Sequence, residues 1–296
     1  MSLFDLNFYS GDIHGQASSS WVEFIKTIGA AGFGIAITKG LEYLNDKKKV
    51  RKAGETIINE VYLLEEPLAT QIASLNELVR LLKEKKIKTP LLELNFKLDT
   101  SRIKGINRND VIRAFERRIG KSKDAIDKAN SIYTSLEVIT YNISRMQVLF
   151  DEFLEKGENE LLRCKSNTDR IVHKLADLSV QYERQRGKID SDLFLKKVHE
   201  LVNEHLIKPN NEGKQVDFLD LKDNFFKPLS ELLYEHRLDL RAGTLSEFTY
   251  QCKEGIRELL YLNIVMAFKF GKIAESLSQQ KNKLLSYAND ISKLKY

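Results

Sequence analysis

Turn-forming residues are scarce in this sequence: 4 prolines and 15 glycines among 296 residues leave few points at which a helix must stop. A chain of short strands needs a turn about every 8–12 positions, so an all-β fold is excluded and helix is the default reading. Cysteine is equally sparse. Cys164 and Cys252 stand far apart, with no C-x-x-C pair and no His-Cys cluster. No disulfide framework or zinc site is suggested; two reduced thiols on helices, as in a cytosolic compartment, is the expectation. Neither G-x-x-x-x-G-K-S/T nor G-x-G-x-x-G occurs, which argues against an NTPase or a dinucleotide enzyme. The excess of one charge is small as well. The 47 basic and 42 acidic residues leave +5, too mild by itself to imply nucleic acid, and most charges are expected to interleave on solvated faces. Apolar residues are the abundant class, at 42%, enough to bury a sizeable core, and disorder is not expected.

Residues 1–20, MSLFDLNFYSGDIHGQASSS, hold Asp5 and Asp12 but no lysine or arginine. They lack the basic start of a signal peptide and read as a flexible arm. Ser18, Ser19 and Ser20 supply N-caps for a Gly/Ala-rich helix that begins at Trp21. Further on, Ile57, Val61, Leu64, Leu68, Ile72, Leu75, Leu78 and Leu82 fall three or four apart and form one helical stripe, which Pro67 is placed to bend. A connector then leads to a short helix near Val111 to Ile119. Between Lys123 and Lys156, Ala125, Ala129, Ile132, Leu136, Ile139, Ile143, Met146, Phe150 and Phe153 alternate in steps of four and three, a coiled-coil seam. The alternation resumes after Gly157 with Leu161, Cys164, Thr168, Ile171, Leu175, Leu178 and Tyr182, which predicts an antiparallel hairpin of two helices turning at Gly157.

KPNNEGKQ, Lys208 to Gln215, reads as a loop and domain boundary. Beyond it Leu245, Cys252, Leu259, Met266, Ile273, Gln280, Tyr287 and Leu294 recur every seven residues, the mark of a helix of about fifty residues, roughly 75 Å long. The predicted fold class is therefore all-α: an elongated helical bundle with long coiled-coil-like helices and a Gly/Ala-rich N-terminal helix. Its parts are the arm (1–20), a membrane-inserting or membrane-associated helix (21–46), a helical bundle (47–207) and a C-terminal long-helix segment (216–296).

The membrane expectation rests on the segment from Trp21 to Leu44. Its uncharged core, Thr27 to Thr38, makes only about 18 Å of helix, against about 30 Å of bilayer hydrocarbon; the full segment reaches roughly 36 Å if Glu23, Lys26, Lys39 and Glu42 lie near its ends. Lysines can snorkel. Trp21 and Tyr43 stand where interfacial aromatics belong, and KKKVRK follows at once, which predicts the C-terminal bulk on the cytoplasmic side. Gly32, Ala36 and Gly40 make a small ridge, with Ala30 and Gly34 as a second, so close packing of like helices is expected. Lys47, Lys48, Lys49, Arg51 and Lys52 are the expected anchor for lipid headgroups or other anions.

The order IGAAGFGIAI, KKKVRK, the helix with IINEVYLLEEPL and the LNFKLDTSRI connector resembles that of bacterial proteins with an N-terminal membrane helix, a basic junction and a helical cytosolic domain. Some of these act as membrane effectors in antiviral defence. GAAGFG followed by KKKVRKAGETIINEVYLLEEPL is also similar to the start of four-helix membrane-permeabilising domains of the HeLo type. The chain shares its size and an apolar Gly/Ala segment with long-helix pore-forming toxins. These resemblances imply a non-enzymatic, self-associating membrane effector, with anionic lipid, its own copies and an upstream sensor or activator as partners.

Other motifs do not develop. GDIHGQ, Gly11 to Gln16, matches the opening of calcineurin-like metallophosphatases, where Asp12 and His14 would bind metal, but the later G-D and G-N-H-E elements are missing. His199 and His205 are six apart, so they diverge by about 120° around a helix instead of sharing a metal. Arg170 to His173 is too short for the Arg-x4-6-His of HEPN ribonucleases. The basic run Lys83 to Lys88 and the group Arg113, Arg117, Arg118, Lys121 and Lys123 could meet anionic lipid or RNA phosphates. No catalytic residue, metal or cofactor is expected. The alternatives are a soluble coiled-coil interaction protein in the cytoplasm and a helical RNA-binding or HEPN-like protein.

Overall fold

Long apolar stripes with few stops become long helices. The computed structural model describes residues 19–84, 98, 100–213 and 218–293, with side chains from residue 37 onward apart from Asp190. Among the described residues every regular element is helical. Helix α1, Ser19–Leu63, runs unbroken for 45 residues. It stops where Pro67 has no N–H to offer the carbonyl of Leu63, and α2, Glu65–Lys83, starts in its place. Acidic Glu65 and Glu66 open α2 while Arg80 and Lys83 close it, each complementing the helix dipole. After the short turn α3, Ser101–Lys104, comes α4, Arg108–Ile119. Asn107 caps α4 by accepting from the N–H groups of Asn109 and Asp110, and Gly120 stops it at φ +72°.

Helix α5, Ser122–Arg186, is one helix of 65 residues, about 98 Å long. The hairpin expected at Gly157 does not form. Phe153, Gly157, Glu160 and Cys164 keep the seam in phase, and a single glycine costs a helix interior only about 1 kcal/mol. A 3-10 turn, Ile189–Ser191, leads to α6, Leu193–Val202, and a π turn, Asn203–Ile207. The expected loop at Lys208 begins as helix instead: α7, Lys208–Asn211, is a single turn. Then α8, Phe218–Leu221, a second π turn, Lys222–Phe226, and α9, Lys227–Glu235, lead to α10, Leu240–Ser292. Both π turns end directly before a Lys-Pro pair, Lys208-Pro209 and Lys227-Pro228. A proline there withholds a donor from the carbonyl four residues earlier and crowds it, which widening to a π turn relieves.

Helices α5 and α10 pack antiparallel along most of their length. Lys128 Nζ meets Asp290 at 3.1 Å, Asn142 Nδ2 donates to Ser276 Oγ at 2.9 Å, and Cys164 Sγ donates to the Cys252 carbonyl at 3.7 Å. Most of the predicted seam residues are buried, from Ala125 to Leu178 on α5 and from Leu245 to Ile273 on α10; Ile143, Phe150, Leu161, Tyr182, Gln280 and Tyr287 are half-buried, and Leu294 lies outside the described residues. Two apolar cores hang on this pair. One gathers α1, α2, α4, the first half of α5 and the end of α10, around Phe115, Leu136, Phe270 and Leu277. The other gathers the second half of α5, α6, α9 and the start of α10, around Cys164, Phe225, Phe226 and Leu245. Distant parts of the chain thus share each core.

Candidate functional site

Helix α1 meets the bundle only part of the way along. Among its described side chains Val50 is the first that is fully buried, and Ile57, Ile58 and Val61 follow into the core. All residues from 37 to 45 are exposed, the apolar Ile37, Leu41, Tyr43 and Leu44 among them at 48–64%. The described part of α1 therefore leaves the bundle as a projecting helix with an apolar surface that no described residue covers. Gly40 lies on this projection, with open space where a Cβ would stand. Ala30, Gly32, Gly34 and Ala36 continue the same helix, but their side-chain environment lies outside the described residues. The arm with Asp12 and His14 lies outside them too. Among the described residues no helix is long and apolar enough to cross a membrane.

The root of the projection is where the predicted basic residues gather. Helical periodicity turns Val50 inward from the middle of KKKVRK and leaves Lys47, Lys48, Lys49, Arg51 and Lys52 exposed around it. Two of the five are engaged: Lys49 Nζ pairs with Asp110 at 3.1 Å, and Arg51 Nε with Glu55 at 2.9 Å. Asp110 is nearly buried, and Arg113, one turn along α4, forms a two-pronged pair with Asp46. The Arg113 guanidinium beside Asp46 holds that carboxyl below its usual range. Acid and base thus alternate reciprocally, Asp46 and Lys49 on α1 against Arg113 and Asp110 on α4. Arg117 Nη1 reaches the Lys47 carbonyl at 3.4 Å, and Arg118 Nη1 the Ile291 carbonyl at 3.3 Å.

These contacts join two basic groups that stand some sixty residues apart in the chain. Exposed Lys47, Lys48 and Lys52 share one end of the bundle with Arg117 and Lys121, forming a basic collar at the foot of the apolar projection. Sequence reasoning named both groups, Arg113 among them, and missed Asp46 and Asp110, the acids of the clamp that unites them. The available signal was Asp110 with Arg113 and Arg117, three and four apart on one face of α4. Of the other basic run, Lys83 closes α2, and residues 85–88 lie outside the described residues.

A hollow of about 570 Å³ elsewhere collects titratable groups: Glu183, Lys188, Lys196, His199 and Glu200. His199 Nε2 lies 2.6 Å from Ser179 Oγ. Since the Ser179 hydroxyl donates its only hydrogen to the Leu175 carbonyl, the imidazole is the donor in this pair. Burial pushes the His199 pKa below its ordinary value. Ser179 sits buried in mid-helix, where backbone amides are spent on helical bonds. His205 stands 6.3 Å from the Phe225 ring and away from His199 in role. Among the described residues no three His, Cys, Asp or Glu side chains are grouped to hold a metal. No family model, curated protein or solved structure matches this chain.

Proposed function

We propose that this chain is a non-enzymatic, membrane-associated helical effector or scaffold that assembles with copies of itself. One observation carries the reading: an exposed apolar helical projection rises from a collar of basic side chains. Apolar surface without a protein neighbour gains by leaving water, at about 25 cal/mol per Å². Lysines and arginines at its foot gain about 1 kcal/mol each near an anionic leaflet. Together they fit a helix that lies on or enters a bilayer containing acidic lipid, with the bundle held on the cytoplasmic side. The resemblance to defence effectors supports the same setting and leaves the activating partner open.

The direct test is co-sedimentation with vesicles of mixed neutral and acidic phospholipid. Replacing Lys47, Lys48, Lys52 and Lys121 by glutamine should lower bound protein by at least about tenfold, and high salt should do the same to the wild type. These residues lie outside the Asp46–Arg113 and Lys49–Asp110 clamp, so melting should be unchanged. Equal sedimentation of both proteins would remove the collar from the mechanism and favour the soluble interaction protein.

A further inference from the structure

Midway along α10, between the two cores, the side facing away from the seam is apolar. Leu259, Asn263, Met266 and Phe270 are buried, whereas Tyr261, Ile264 and Phe268 are 63%, 65% and 68% exposed. Steps of three and four put these three on one stripe, the spacing of a second coiled-coil seam on the same helix. A lone exposed leucine or tyrosine is ordinary, but three in register make a surface suited to a helix.

The charges bounding the stripe say which helix. Lys253, Glu254, Arg257 and Glu258 precede it; Lys269, Lys272 and Glu275 follow. Lys253 donates to Ser230 Oγ at 3.3 Å, Arg257 pairs with Glu254 and Lys272 with Glu275, which leaves Glu258 before the stripe and Lys269, whose charge also reaches Glu152 of α5, after it. A parallel copy would set acid beside acid and base beside base. An antiparallel copy centred on Ile264 sets Tyr261 against Phe268 and brings Glu258 within a turn of Lys269 on both sides of the two-fold axis.

We infer that the outer face of α10 around Ile264 docks the same face of a second copy of this chain, antiparallel. This deepens the self-assembly part of the proposed function and is independent of whether α1 meets lipid. The experiment is sedimentation equilibrium of the full chain in lipid-free buffer. The wild type should dimerise, and Ile264→Glu with Phe268→Glu should raise the dissociation constant by at least about tenfold, with helicity unchanged because both sites are exposed. Orientation is read with a short thiol crosslinker, to which native Cys164 and Cys252, both fully buried, contribute little. Val265→Cys, beside the axis, should crosslink to itself. Tyr250→Cys should not, because in the antiparallel pair its two copies stand about 42 Å apart along the helix. A monomeric wild type at the highest attainable concentration, an unaffected double variant, or equal crosslinking through Tyr250→Cys would each overturn the inference, whatever the vesicle result.

Discussion

A Cβ on Gly255 would stand 2.6 Å from the Sγ of Cys164, so this glycine sets how closely α10 approaches α5. Cys164 has no free direction to retreat: it is fully buried, its thiol donates to the Cys252 carbonyl at 3.7 Å, and burial pushes its pKa up to about 12. Gly255→Ala should therefore lower the free energy of unfolding by about 1–3 kcal/mol, measured by urea titration. Adding Cys164→Ala should recover part of that loss, since it removes the clashing atom; a purely additive double variant would contradict the close contact. At the far end of the second core, Arg241 Nη1 pairs with Asp192 at 2.8 Å and Nη2 with Asp239 at 2.6 Å, over the Phe194 ring. Burial opposes ionisation of Asp192, yet the Leu195 amide and Arg241 outweigh it, and Arg241 holds Asp239 low as well. Lowered carboxylate values stabilise the fold fully above about pH 4 and lose that contribution as pH falls through the folded-state values. Arg241→Ala should cost about 1–3 kcal/mol at pH 7, and the gap to wild type should narrow as pH falls below about 4 in paired denaturation curves.

Among the elements, α5 shows both the reach and the limit of periodicity. Its seam was legible residue by residue, because steps of three and four translate directly into one helical face. Its continuity was not, since a glycine between two seams reads equally as a turn or as a tolerated helical residue. What decides is α10, a partner over a hundred residues later that lies along both halves and keeps them collinear. Gly157 meets nothing within 4 Å of a Cβ position, and it shows none of the positive φ seen at Gly120, Gly187 and Gly213. Gly157→Ala should thus stabilise the protein by about 0.5–1 kcal/mol in thermal or urea unfolding. A loss of stability would indicate a glycine-specific backbone, as a hairpin turn at Gly157 would require.

For the whole molecule, the all-α class followed from scarce turn residues and long stripes, while the assembly of the collar did not. Asp46 and Arg113 are 67 residues apart, and no periodicity predicts that α4 returns to the root of α1. The basic residues were visible as two runs; their union depends on a tertiary contact. The central claim is that the projecting part of α1 meets a bilayer, and the chain supplies its own reporter, since its one tryptophan, Trp21, lies in that helix. Trp21 fluorescence should be recorded while vesicles of mixed neutral and acidic phospholipid are added, with lipids brominated at different depths as quenchers. The account predicts a blue-shifted emission, quenched most by bromines near the headgroup end of the acyl chains, where interfacial tryptophans reside. An emission maximum unmoved by saturating vesicles, with no bromolipid quenching, would contradict it.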